Sequence, residues 1–234
     1  MPPKVFGWQH LVYLAIFIAV SAGAIVAIKL KVKSEKTLDI IIKSLGGALL
    51  VLLVWNRIAI CIHKNNWLML LPDSFCGVSS LCMGICAIFC KRDALPFHYL
   101  VYIAVFGGAA NDLFPYYLGQ ADYFMYPATI SGMLHHSLSL DIGLIMLLTG
   151  YFKPCLKKLY AFPLGVCFTM VFGIFLVDAL KFETAMYIYS PLVGPLTWYM
   201  VFPAVTAALY GALFLYEKVI LPKITAKKQT GASD

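Results

Sequence analysis

The sequence predicts an all-α polytopic membrane protein, a single bundle of about seven transmembrane helices, on three observations. Of its 234 residues 62% are hydrophobic and only 12% are charged, far below the roughly 25% charged residues of ordinary soluble domains. Mean hydropathy is +0.85. The apolar residues also gather into runs of about 20, the length a helix needs to cross the hydrocarbon core, and lipid admits helices because each satisfies its own backbone.

The runs fall near residues 9–30, 37–62, 68–90, 96–119, 127–150, 158–180 and 196–217. The first continues past the small residues "SAGA" (21–24) to Lys29, so it is expected to span rather than to serve as a short cleaved signal. Span three opens on "LPDSFC" (71–76), where proline favours a helix first turn and aspartate suits the positive end of the dipole. A helix starting or kinking at Pro72 leaves Cys76 just beyond that end, and puts Asp73, Cys76 and Ser80 on one face. Connections are short, so one transmembrane domain is expected over 1–222, followed by a polar tail, 223–234.

Direction follows from the basic residues behind the net charge of +7. Lys29, Lys31, Lys33, Lys36, Lys91, Arg92, Lys153, Lys157, Lys158, Lys218, Lys223, Lys227 and Lys228 occupy one set of alternate connections. Lys4, Lys64 and Lys181 alone occupy the other. The positive-inside rule then puts the N-terminus outside and the C-terminus in the cytoplasm, which requires an odd number of spans. The same clustering reads the charge as topology and excludes a nucleic-acid partner; membrane lipids are the expected partners.

With direction assigned, rise along each helix gives every polar residue a depth. Arg57, Asp73, Cys76, Asn111, Asp112, Asp178 and Trp198 fall in the outer half, and His135 and His136 descend from there toward mid-membrane. Ionisable residues at such depth mark functional sites, because hydrocarbon gives them no solvent. Their convergence predicts a polar cavity opening outward or into the outer leaflet. Neighbouring histidines diverge by about 100° on a helix, so His135 and His136 do not share a ligand, and no metal site is expected. Cys82, Cys86 and Cys90 form a stripe read as buried packing. Neither a glycine-rich phosphate loop nor a zinc spacing is present, and no cofactor is expected.

Several segments resemble the YwaF-like integral membrane proteins, whose eukaryotic relatives include a phospholipid acyltransferase. "LPDSFC" is similar to that family's Leu-Pro-x-His-x-Cys, with Ser74 in place of the histidine; "FGGAANDLFP" (106–115) to its Gly-Gly turn before a proline; "VGPLTWYM" (193–200) to its Gly-Pro-x-x-Trp-Tyr. "FLVDAL" (175–180) carries Asp178 where the family has asparagine. The resemblance implies a bacterial cytoplasmic membrane, and Cys76 and His136 match the family's cysteine and histidine.

Two activities follow as expectations. The first is lipid acyl transfer, with Cys76 as nucleophile and His136 or His135 as base, supported by Asn111 at the oxyanion and Arg57 at a phosphate. The alternative is a transporter or solute-binding membrane component that uses Arg57, Asp73, Asp112, Asp141 and Asp178 as an intramembrane charge network.

Overall fold

In the computed structural model, residues 2–222 are described, apart from 116, 122 and 193. The described residues form seven α-helices: α1 (Trp8–Lys31), α2 (Glu35–Lys64), α3 (Phe75–Phe89), α4 (Phe97–Leu113), α5 (Pro127–Leu148), α6 (Ala161–Asp178) and α7 (Trp198–Leu215). They show no strand. Five segments are long and apolar enough to cross a membrane: α1, α2, α5, Leu156–Asp178 and Trp198–Ile220. The expected tail 223–234 lies outside the described residues.

Two spans are shorter than expected, each for a proline-related reason. Over 68–90 a 3-10 turn, Trp67–Leu70, gives way to extended Leu71 (φ −69°, ψ 133°), because the ring of Pro72 disfavours the helical region for the residue before it. The helix restarts at Phe75, where Ser74 Oγ accepts the Gly77 amide at 3.1 Å and caps one of the unpaired first-turn donors. At 15 residues, α3 is about 22 Å long and leaves the rest of the crossing to the segment before it. Likewise α4 ends at Leu113, six residues before the expected 119, as Phe114 turns out of the helix ahead of Pro115.

The chain divides into two compact units, residues 1–152 and 153–234. In the first, α5 packs against both α2 and α4, and α3 packs against the same two helices. Close approach depends on small residues, as membrane packing requires. A Cβ on Gly108 of α4 would lie 2.9 Å from Leu140 Cβ and 3.1 Å from the His136 carbonyl of α5. One on Gly46 of α2 would lie 3.0 Å from the Gly84 carbonyl of α3. In the second unit α6 packs against α7, and Glu217 Oε1 accepts the Leu156 amide at 2.6 Å.

Candidate functional site

A small polar cavity in the first unit gathers Arg57, His135 and His136 from the predicted set. It measures about 40 Å³, and Asn56, Arg57, Ser74, Tyr117, His135 and His136 are among the residues that line it. That is room for about one to three waters. Arg57 donates from Nη1 to Asp73 Oδ1 at 2.8 Å and from Nη2 to Asn56 Oδ1 at 3.3 Å. Asn56 Nδ2 in turn donates to the Ala128 carbonyl and to Ser131 Oγ, both at 3.1 Å. The guanidinium of α2 is thus held between the entry to α3 and, through Asn56, the first turn of α5.

The helical step predicts that the two histidines diverge, but both line the cavity with their rings against each other, and it is their other partners that differ. His135 Nδ1 lies 3.1 Å from the Ser131 carbonyl. A carbonyl only accepts, so Nδ1 carries the proton and Nε2 presents a lone pair. His136 stacks on Tyr117, with ring centroids 6.0 Å apart and planes 16° apart, and its centroid is 4.0 Å from that of His135. The contact of Ser131 with His135 is therefore through backbone; its hydroxyl donates to the Pro127 carbonyl instead.

Cys76 is the second residue of α3, at the end where backbone amides point free. Its Sγ accepts a hydrogen bond from Asn111 Nδ2 at 3.1 Å, and the same nitrogen donates to the Gly107 carbonyl at 2.9 Å. Both amide hydrogens are thereby used, which orients Asn111 on α4 toward the sulfur. Neither histidine hydrogen-bonds the thiol. The hydrogen-bond partner that the structure gives Cys76 is the amide that sequence reasoning reserved for an oxyanion.

The remaining predicted residues sit in separate groups. Asp112 is buried and accepts from Ser137 Oγ at 2.9 Å, away from the Arg57–Asp73 pair, while Asp141 Oδ2 accepts from Ser21 at 2.9 Å. In the second unit, Asp178 is exposed and accepts from the Tyr189 hydroxyl at 3.3 Å. Its negative charge holds the Tyr189 phenol above the ordinary range. Trp198 Nε1 donates to the Ile188 carbonyl at 3.3 Å, and the indole lines an apolar groove between α6 and α7 with Tyr199, Pro203 and Cys167.

Sequence reasoning passed over Asn56, Tyr117 and Ser137. The first had a signal, since "WNR" sets two adjacent polar side chains inside an otherwise apolar run. All seven cysteines are free thiols, and among the described residues no group of three or more His, Cys, Asp or Glu side chains is placed to hold a metal ion.

No curated protein and no solved structure matches the chain. The model of the TMEM164 family matches residues 5–216, which takes in α1 through α7 in full. With five long apolar helices, a buried arginine and a family match over nearly its whole length, the chain is an integral membrane protein that belongs to the TMEM164 family.

Proposed function

We propose that the protein moves acyl chains between membrane glycerolipids through a thioester on Cys76. One observation carries this reading: a cysteine at the amide-rich start of α3, held by a side-chain amide that has no other free hydrogen. A thiol that serves only as packing has no need of such a donor, whereas a thiolate is stabilised by it. The resemblance of "LPDSFC" and the span-five histidine to the YwaF-like proteins supports the same assignment.

In the first half-reaction an imidazole of the histidine pair takes the thiol proton, and Sγ attacks the ester carbonyl carbon of a donor lipid. The tetrahedral intermediate expels the lysolipid oxygen, which leaves with the proton from the imidazolium. In the second half a lysolipid hydroxyl gives its proton to the imidazole and attacks the thioester, and the thiolate leaves and is reprotonated. His135 Nε2 has the free lone pair this needs, and the proton transfer to it from the sulfur requires a bridging water or a movement of the ring. Arg57, already neutralised in part by Asp73, offers its remaining edge to a phosphate.

The division of the carboxylates into separate hydrogen-bonded groups favours this chemistry over transport, which needs a connected relay. The test uses purified protein in vesicles with a labelled diacyl phospholipid and an unlabelled lysolipid. Transfer of label and an acyl adduct on Cys76 by mass spectrometry are expected, and Cys76→Ala removes both. Label transfer that persists in Cys76→Ala refutes the thioester.

A further inference from the structure

α1 is attached in an unusual way for a membrane helix. Only 6% of its most apolar window is buried, and its two buried residues, His10 and Ser21, are both polar. Beside the ring contacts of Phe6 with Phe114 and Tyr13 with Phe124, hydrogen bonds from His10, Tyr13 and Ser21 tie it to the rest of the unit, and the first two lead to Asp112. The Phe6 amide donates to His10 Nδ1 at 3.0 Å, which leaves the proton on Nε2. That nitrogen donates to the Asp112 carbonyl at 2.7 Å. Asp112 is the penultimate residue of α4, so its carbonyl is among the last four, which have no partner within the helix. Tyr13 completes the arrangement: its hydroxyl lies 2.6 Å from Ser137 Oγ, whose own proton goes to Asp112 Oδ1 at 2.9 Å, so Tyr13 is the donor to Ser137.

The next residue back along α4 is Asn111, the donor to the Cys76 sulfur. Both polar arms of α1 thus fix the turn of α4 from which Asn111 reaches the thiol. We propose that α1 is a positioning helix for Cys76: His10 and Tyr13, acting through Asp112 and Ser137, hold Asn111 on the sulfur. The inference rests on Cys76 being the reactive group of the site, and it adds a control point, since whatever loosens α1 changes the thiol. Ser21 ties α1 to Asp141 on α5 and makes no hydrogen bond to that turn of α4.

The experiment follows alkylation of Cys76 by a neutral maleimide in the full-length protein in lipid nanodiscs, read by peptide mass spectrometry so that the other cysteines do not interfere. His10→Ala is expected to change the Cys76 rate at least about threefold, in the direction of Asn111→Ala, as coupled neighbours do. The double variant is expected to match Asn111→Ala alone. Tyr13→Phe is expected to give a smaller change in the same direction, and Ser21→Ala none. His10→Gln restores an N–H donor and is expected to return the rate toward that of the parent; it also serves if His10→Ala fails to fold.

A parent-like rate in folded His10→Ala overturns the proposal, as do independent, multiplying effects in the double variant. A rate in folded His10→Gln no closer to the parent than that of Asn111→Ala overturns it too. No acyl donor is present, so these outcomes are independent of whether label transfer is observed in the vesicle assay. A positive rate result with no transfer leaves the positioning role intact and removes the acyl chemistry.

Discussion

The Arg57–Asp73 pair gives the sharpest energetic prediction. The Arg57 side chain is 10% exposed and that of Asp73 is 35% exposed, with 2.8 Å between Nη1 and Oδ1. Exposed pairs contribute roughly 0.2–1 kcal/mol, and breaking a fully buried pair costs roughly 3–5 kcal/mol because one charge is stranded. With one partner buried and the other a third open, Asp73→Ala is expected to cost about 2 kcal/mol. Arg57 Nε makes no other hydrogen bond, so after the substitution Asn56 Oδ1 alone is left to hold the guanidinium. For a chain of this size that is a fall of about 4–8 °C in unfolding midpoint, measurable by thermal scanning in detergent. Arg57→Leu combined with Asp73→Ala is expected to recover part of the loss, since no charge is stranded. Fully additive losses in the double variant refute the claim that the cost comes from an orphaned guanidinium.

Three further predictions concern the frame of the site. Gly108→Ala is expected to cost about 1–3 kcal/mol by overpacking, since its Cβ would press on the Leu140 Cβ and the His136 carbonyl, whereas Gly47→Ala, with nothing within 4 Å, is expected to be neutral or stabilising; thermal midpoints of the two variants check this. Ser74→Ala removes the cap on α3 at a cost of about 1 kcal/mol, and faster amide exchange confined to the first turn of α3 is the expected signature. In the second unit, Asp178→Asn removes the charge that holds the Tyr189 phenol up. Tyr189 is then expected to ionise at lower pH than in the parent, as read from the difference between the two ultraviolet titrations.

Periodicity and run length were enough to find all seven helices, because each has to bury or cross with an apolar stretch of a set length. They were poor guides to helix ends, since hydropathy carries no information on backbone angles. Leu71–Pro72 and Phe114–Pro115 were as apolar as their neighbours, and it is the proline rings that end the helical path there. The candidate site was legible as a set of depths: Arg57 and the two histidines line one cavity, and Asp73 pairs with Arg57. Azimuth was not legible. Asn111 and Asp112 are adjacent in sequence and equal in depth, yet one faces Cys76 on α3 and the other faces Ser137 on α5, a difference of one 100° step.

α5 shows why depth gathered so many polar residues. Of the five long apolar segments it has the lowest hydropathy, 1.3, and the highest burial, 67%; α1 reverses both, at 2.6 and 6%. A helix with polar residues on several sides is tolerated in a membrane only where other helices take up those groups. Ser131 meets α2 through Asn56, Ser137 meets α4 through Asp112 and α1 through Tyr13, and Asp141 meets α1 through Ser21. Each of these contacts fixes the rotation of α5 about its own axis. With that rotation set from three directions, His135 and His136 have no freedom to exchange places at the cavity. The one hydrogen bond that either ring makes among the described residues, His135 Nδ1 to the Ser131 carbonyl, stays within α5, so the hydroxyl and amide contacts hold the helix and leave the ring edges to the cavity.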